Sequence, residues 1–133
     1  GPWGPPFALE KSTALSGTDD LRAHVIYAQV ENVSSTSVVY ARAPFRGSIV
    51  KVGVVLSSAA STADATCTTS LAGTNITNGV VTVTQSGSAA GSVFTSTPSA
   101  ANTCNEDDKI GFTFSGSGTA GGPVTCFAVV RRA

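Results

Sequence analysis

The 133-residue sequence predicts an all-β fold, an antiparallel β-sandwich of jelly-roll-like or immunoglobulin-like type with an extended N-terminal arm. Short apolar stretches follow one another along the chain, separated by clusters of Gly, Asn, Ser and Pro, and this spacing is the mark of an all-β domain. Several of the stretches alternate apolar and polar residues with period two, as a strand with one buried face must. The composition agrees: 17 Ser, 17 Thr, 18 Ala and 14 Gly stand against 12% charged residues. That is about half the usual charge, and it favours strands and tight turns. The length fits one domain, which at this size buries around two thirds of its unfolded surface.

The first element is the arm, residues 1–21, ahead of a sandwich domain at 22–133. Pro2, Pro5 and Pro6 lie among glycines, a density that prevents helix and removes sheet donors, so the segment is expected to be extended. It also holds Trp3, the one Trp of the chain, together with Phe7 and Leu9. Leaving an aromatic in water forfeits roughly 1.5–3 kcal/mol of burial. The arm is therefore expected to dock on a neighbouring subunit, on another protein or back on its own domain. Asp19 and Asp20 read as the hinge between arm and domain.

Strands are expected near 22–30, 36–43, 46–56, 63–71, 79–84, 91–97, 109–115 and 122–131. Ala65, Cys67, Thr69 and Leu71 alternate with Asp64, Thr66, Thr68 and Ser70, and Ile110, Phe112 and Phe114 alternate with Lys109, Gly111, Thr113 and Ser115. Two strands depart from one-sided burial. In residues 45–56, Val50, Val52, Val54 and Leu56 form an apolar face while Phe45, Ile49 and Val55 lie opposite. In the last strand Val124, Cys126, Ala128 and Val130 share a face, and Phe127 and Val129 share the other. A sandwich strand buries one face within its own domain. The second apolar face requires a cover, from the arm or from an adjacent subunit, and points to association. Between Ser57 and Asn105 small residues dominate; Asn78-Gly79 is the strongest turn signal, and 57–64 and 115–122 read as flexible loops.

The sequence offers little for catalysis, and an enzyme is not expected. The one His, His24, lies within the first strand pattern, where a structural role is the simpler reading, and no Gly-x-Ser-x-Gly elbow is present. No glycine stretch is followed by the Lys of a phosphate loop. Glu106-Asp107-Asp108-Lys109 is the densest charge cluster, but it lacks the alternating ligand spacing of a calcium loop and reads as a solvated turn that discourages edge pairing. A two-carboxylate glycosidase pair is a weak reading in a chain with 8 acidic residues, mostly in turns. No metal or other cofactor is expected. For sugar binding only Tyr27, Tyr40 and Trp3 would serve as aromatic platforms.

Eight basic residues balance eight acidic ones, so no basic stripe for nucleic acid is present. The longest apolar runs, such as 52–56, fall far short of the roughly 20 residues that span a bilayer, and a soluble protein is expected. No signal peptide is evident at the start, and Gly1 fits removal of an initiator Met. Cys67, Cys104 and Cys126 lack metal or redox spacing. They read as reduced, buried small hydrophobes, with a Cys67–Cys126 bridge as the alternative. Two Asn-x-Ser/Thr triplets, at Asn32 and Asn75, are of the frequency that so much Ser and Thr produces by chance.

Residues 45–114 carry a series of strings: FRG opening a Val-rich strand, then ADAT, TNIT-NG, SGSAAG-VF, and TPSAANT before the acidic turn and a strand; the chain closes on AVVRRA. In this order, over a little more than half of the chain, the sequence resembles small virion structural proteins of tailed bacteriophages. The resemblance implies a capsid decoration, or cement, protein: a β-sandwich assembled as a homotrimer on the outside of the head in the bacterial cytoplasm, bridging copies of the major capsid protein. In that setting Trp3, Phe7 and Leu9 are the expected anchors to capsid or neighbour, and Phe127 and Val129 the expected subunit contacts. The competing reading is a head-fibre or tail-associated sandwich that binds a host-surface carbohydrate or receptor.

Overall fold

A computed structural model describes residues 22–133. The elements are β1 (Ala23–Val30), β2 (Val39–Arg42), β3 (Gly47–Val55), β4 (Ala60–Ser61), β5 (Ala65–Leu71), β6 (Thr74–Val83), β7 (Val93–Ser96), β8 (Thr103–Cys104), β9 (Lys109–Gly116), β10 (Thr119–Ala120) and β11 (Val124–Arg132). One sheet runs β1-β11-β3-β7, with the short β8 also on β3, and the other runs β2-β9-β5-β6. Every pairing is antiparallel.

The all-β sandwich expected from the period-two pattern is thus present, and its strand order selects between the two expected types. Leaving aside the two-residue strands and counting the other eight along the chain, the sheets read 1-8-3-6 and 2-7-4-5. First pairs with last, second with seventh, third with sixth and fourth with fifth, the jelly-roll arrangement of one long antiparallel ribbon wound into two sheets.

The core lies between the sheets. From the first sheet it takes Ile26, Val30, Ile49, Val52, Val54, Val124, Cys126, Ala128 and Val130, and from the second Ala65, Cys67, Leu71, Val81, Val83, Ile110, Phe112 and Phe114. In β5 and β11 the buried residues are the inward sets that the alternation predicts; in β9 the expected Ile110, Phe112 and Phe114 are buried, together with Gly111 of the outward set.

In β3 the expected faces need correction. The β11–β3 register passes from Val129↔Lys51 to Val130↔Ile49, so Val50 is an extra, bulged residue. Before the bulge Gly47 and Ile49 point inward; after it Val52 and Val54 do, with Leu56 buried just beyond the strand. Ile49 therefore belongs to the core, and Val50, half-buried, does not share the Val52 face. The apparent two-sidedness of this segment comes in part from a phase change within one strand.

The expected turn at Asn78-Gly79 is also displaced. β5 and β6 are joined through Ala72 and Gly73, both at positive φ (51° and 91°), the backbone of a tight two-residue hairpin. Asn78 also has positive φ, 61°, but it lies inside β6, where the register jumps from Thr68↔Val80 to Ser70↔Asn75. There the four residues 76–79 of β6 stand against Thr69 alone, and Ile76 turns into the core.

Segments 57–64 and 115–122, expected as flexible loops, are tied to each other. β4 pairs with β10, Thr62 Oγ1 lies 2.9 Å from Thr119 Oγ1, and the Ser57 and Val33 amides donate to the Gly121 and Ala120 carbonyls at 3.0 Å. Ala60 and Gly121 are buried. Small residues there permit close chain approach, and composition by itself could not distinguish that from mobility.

Candidate interaction surface

The two sheets expose chemically different outer faces, and the difference is clearest on the central strands. In the second sheet, β5 and β9 turn Thr66, Thr68, Ser70, Thr113 and Ser115 outward, in register as Thr66↔Ser115 and Thr68↔Thr113. Thr66 and Ser115 join hydroxyl to hydroxyl at 2.8 Å. Apolar groups on this face lie toward its sides, Val38 and Tyr40 by β2 and Val80 on β6.

In the first sheet, the outward rows are Val25–Val129–Lys51, then Tyr27–Phe127–Gly53–Thr95, then Gln29–Thr125–Val55–Val93. Tyr27 is 63% exposed, Val93 56% and Val25 38%, while Phe127, Val129 and Val55 are half-buried. An apolar band thus crosses all four strands without a cover from the described residues. The sequence-predicted contacts Phe127 and Val129 occupy its middle. Trp3, Phe7 and Leu9 lie outside the described residues.

Phe127 is seated by a glycine. A Cβ placed on Gly53 would stand 2.7 Å from Cε2 of Phe127 and 2.8 Å from the Phe94 carbonyl oxygen, so the ring lies across the strand where Gly53 has no side chain. The aromatic ring covers the glycine backbone. Tyr40 repeats the device on the other sheet: a Cβ on Gly111 would stand 3.1 Å from Cε1 of Tyr40, and Lys109 Nζ lies 5.6 Å from that ring's centre.

Val55, expected on a second apolar face of its strand, lies on this face, whereas sequence reasoning missed Val25, Gly53 and Val93. A signal for β1 was present, because Val25 and Tyr27 alternate with Ile26 and Ala28 and both phases are apolar. No signal marked Gly53 or Val93, whose places depend on the β3–β11 and β3–β7 registers.

The other candidates are placed as follows. His24 is exposed on β1 opposite Val130. In the acidic turn Asp108 Oδ2 accepts from the Asn105 amide at 2.9 Å, Asp107 carries positive φ (74°), and Arg42 Nε meets Asp107 Oδ1 at 3.1 Å. These carboxylates shape and brace the turn ahead of β9. Among the described residues no group of three His, Cys, Asp or Glu side chains is gathered as a metal site, no cavity opens, and no helix is long and apolar enough to cross a membrane.

All three cysteines are buried and free. Cys67 and Cys126 point inward from opposite sheets, and the Cys67 thiol is held well above its ordinary pKa by its hydrogen bond to Cys126 and by burial. Burial also raises the Cys104 thiol, whose S–H donates to the Phe45 carbonyl at 3.6 Å.

Comparison of the chain with protein-family models, with curated proteins and with solved structures finds no match.

Proposed function

We propose that the protein is a virion structural protein that decorates and cements the outside of a tailed-phage capsid, binding the major capsid protein and associating with itself as a homotrimer. The observation that carries this reading is the contrast between outer faces: an apolar band on the β1-β11-β3-β7 sheet and a hydroxyl-rich centre on the other. A cement protein needs a contact surface on one side and a water-tolerant one on the other, with several weak attachments multiplied by simultaneous engagement. Jelly rolls occur in viral capsid proteins, and also in lectins, so strand order alone does not choose between shell and sugar.

The test uses phage shells that lack the protein. The full chain is expected to cosediment with them in hundreds of copies, whereas a chain without residues 1–20 and the double variant Tyr27→Ser, Val93→Ser should both lose occupancy while staying folded. Unchanged occupancy of both sinks the reading. The second reading, a head-fibre or tail-associated module for host carbohydrate, is favoured by Tyr40, 55% exposed beside Ser70 and Lys109. Glycan-array binding that is lost in Tyr40→Ala, with a dozen copies or fewer per virion, would establish it instead.

A further inference from the structure

We propose that Cys67 and Cys126 are a latent inter-sheet disulfide, closed when the chain folds under oxidising conditions and otherwise sealed as two thiols. Cys67 is central in β5, opposite Phe114 and Val81 of its own sheet. Cys126 is central in β11, opposite Ala28 and Val54. Both side chains enter the core from opposite sheets, both residues are 0% exposed, and Cys126 is the neighbour that most raises the Cys67 thiol. The nearest inward residues along the strands include Ala65 on β5 and Ala128 on β11, and Ala28 lies across from Cys126 on β1. Cys104 is held apart, on β8 at the β3 edge with its thiol on Phe45, so one pair and one single thiol follow.

The same burial decides when the bond can form. Exchange with a small-molecule disulfide requires a thiolate and an access path. In the closed core the Cys67 thiol faces Cys126 and apolar side chains, which disfavours its anion, and both sulfurs are cut off from solvent. Oxidation therefore belongs to the open chain. With oxidised glutathione as oxidant, both protein thiols lose their protons, one S–S bond forms, two electrons pass to glutathione, and two reduced glutathione molecules leave. A protein folded in a reducing compartment keeps its thiols after moving to an oxidising one; a protein folded in the oxidising one is stapled across the sandwich.

The full chain is unfolded, refolded in a glutathione redox buffer or in reductant, then denatured, alkylated and mapped by mass spectrometry. From the redox buffer we expect a Cys67–Cys126 linked peptide, one alkylated thiol at Cys104, and a Tm raised by roughly 10 °C or more over the reduced form. Native protein incubated in the same buffer should stay unlinked. The variant Cys104→Ala should give the same link and so excludes rearrangement through the third thiol. Three alkylated cysteines after oxidative refolding, or a link to Cys104, would overturn the pairing. Equally fast linking of the native protein would overturn the burial gate.

Discussion

Thr69 is the one buried polar side chain in the described core, 0% exposed, and its hydroxyl has no hydrogen-bond partner. It lies on the inward face of β5 opposite Phe112 of β9, at the point where the β6 ladder skips it, passing from Thr68↔Val80 to Ser70↔Asn75. Replacing it with Val removes the hydroxyl while keeping the β-branched shape and strand preference. An unsatisfied buried hydroxyl costs about 1–3 kcal/mol. Taking the lower part of that range, because the bulge beside it leaves room for adjustment, Thr69→Val should gain about 1 kcal/mol. For a domain of this size that raises Tm by about 4 °C. Thermal and urea unfolding followed by circular dichroism would measure it, with the urea m-value unchanged because the exposed area is the same. Thr69→Ser, which keeps the hydroxyl and deletes a methyl, should instead lose about 1 kcal/mol. A Tm for Thr69→Val below that of the parent would refute the reasoning and show that the hydroxyl is satisfied, for example by a buried water.

Gly53→Ala forces a Cβ against the Phe127 ring and the Phe94 carbonyl, an overpacking worth about 1–3 kcal/mol, so Tm should fall by roughly 4–12 °C. In a Phe127→Ala background the same change should cost less, since only the carbonyl contact remains; an additive double-mutant cycle would show that ring and glycine do not interact. By contrast, the Arg42–Asp107 pair is 75% and 62% exposed, and Asp107→Asn should shift Tm by less than about 2 °C in the same unfolding assay.

The strands with strict alternation were legible from sequence because one periodicity served their whole length. Ala65, Cys67, Thr69 and Leu71 all face inward, as do Ile110, Phe112 and Phe114. Reading failed where the chain breaks phase. A β-bulge at Val50 reassigns Ile49 to the core, and no residue type there announces it, since Ile, Val and Lys all fit a strand. The Asn78-Gly79 signal was real as backbone geometry, with φ of 61° at Asn78, yet the hairpin formed at Ala72-Gly73 because Leu71 and Ile76 both had to reach the core. On the candidate surface, Phe127 and Val129 were legible from their own strand. Gly53 and Val93 were not, because a face shared by four strands is defined by registers between segments far apart in the chain.

The jelly-roll order also governs how the molecule comes into being. β11 lies between β1 and β3, so the last of the described strands is an inner strand of its sheet, and β1 pairs with a strand that follows it by almost the whole length of the described chain. Such non-local pairing carries a high contact order and slow folding, with unpaired edges exposed meanwhile. The apolar band that crosses β1, β11, β3 and β7 cannot exist before β11 is inserted. The band is therefore complete only when β11 is in place, and a chain cut before Val124 has no such band.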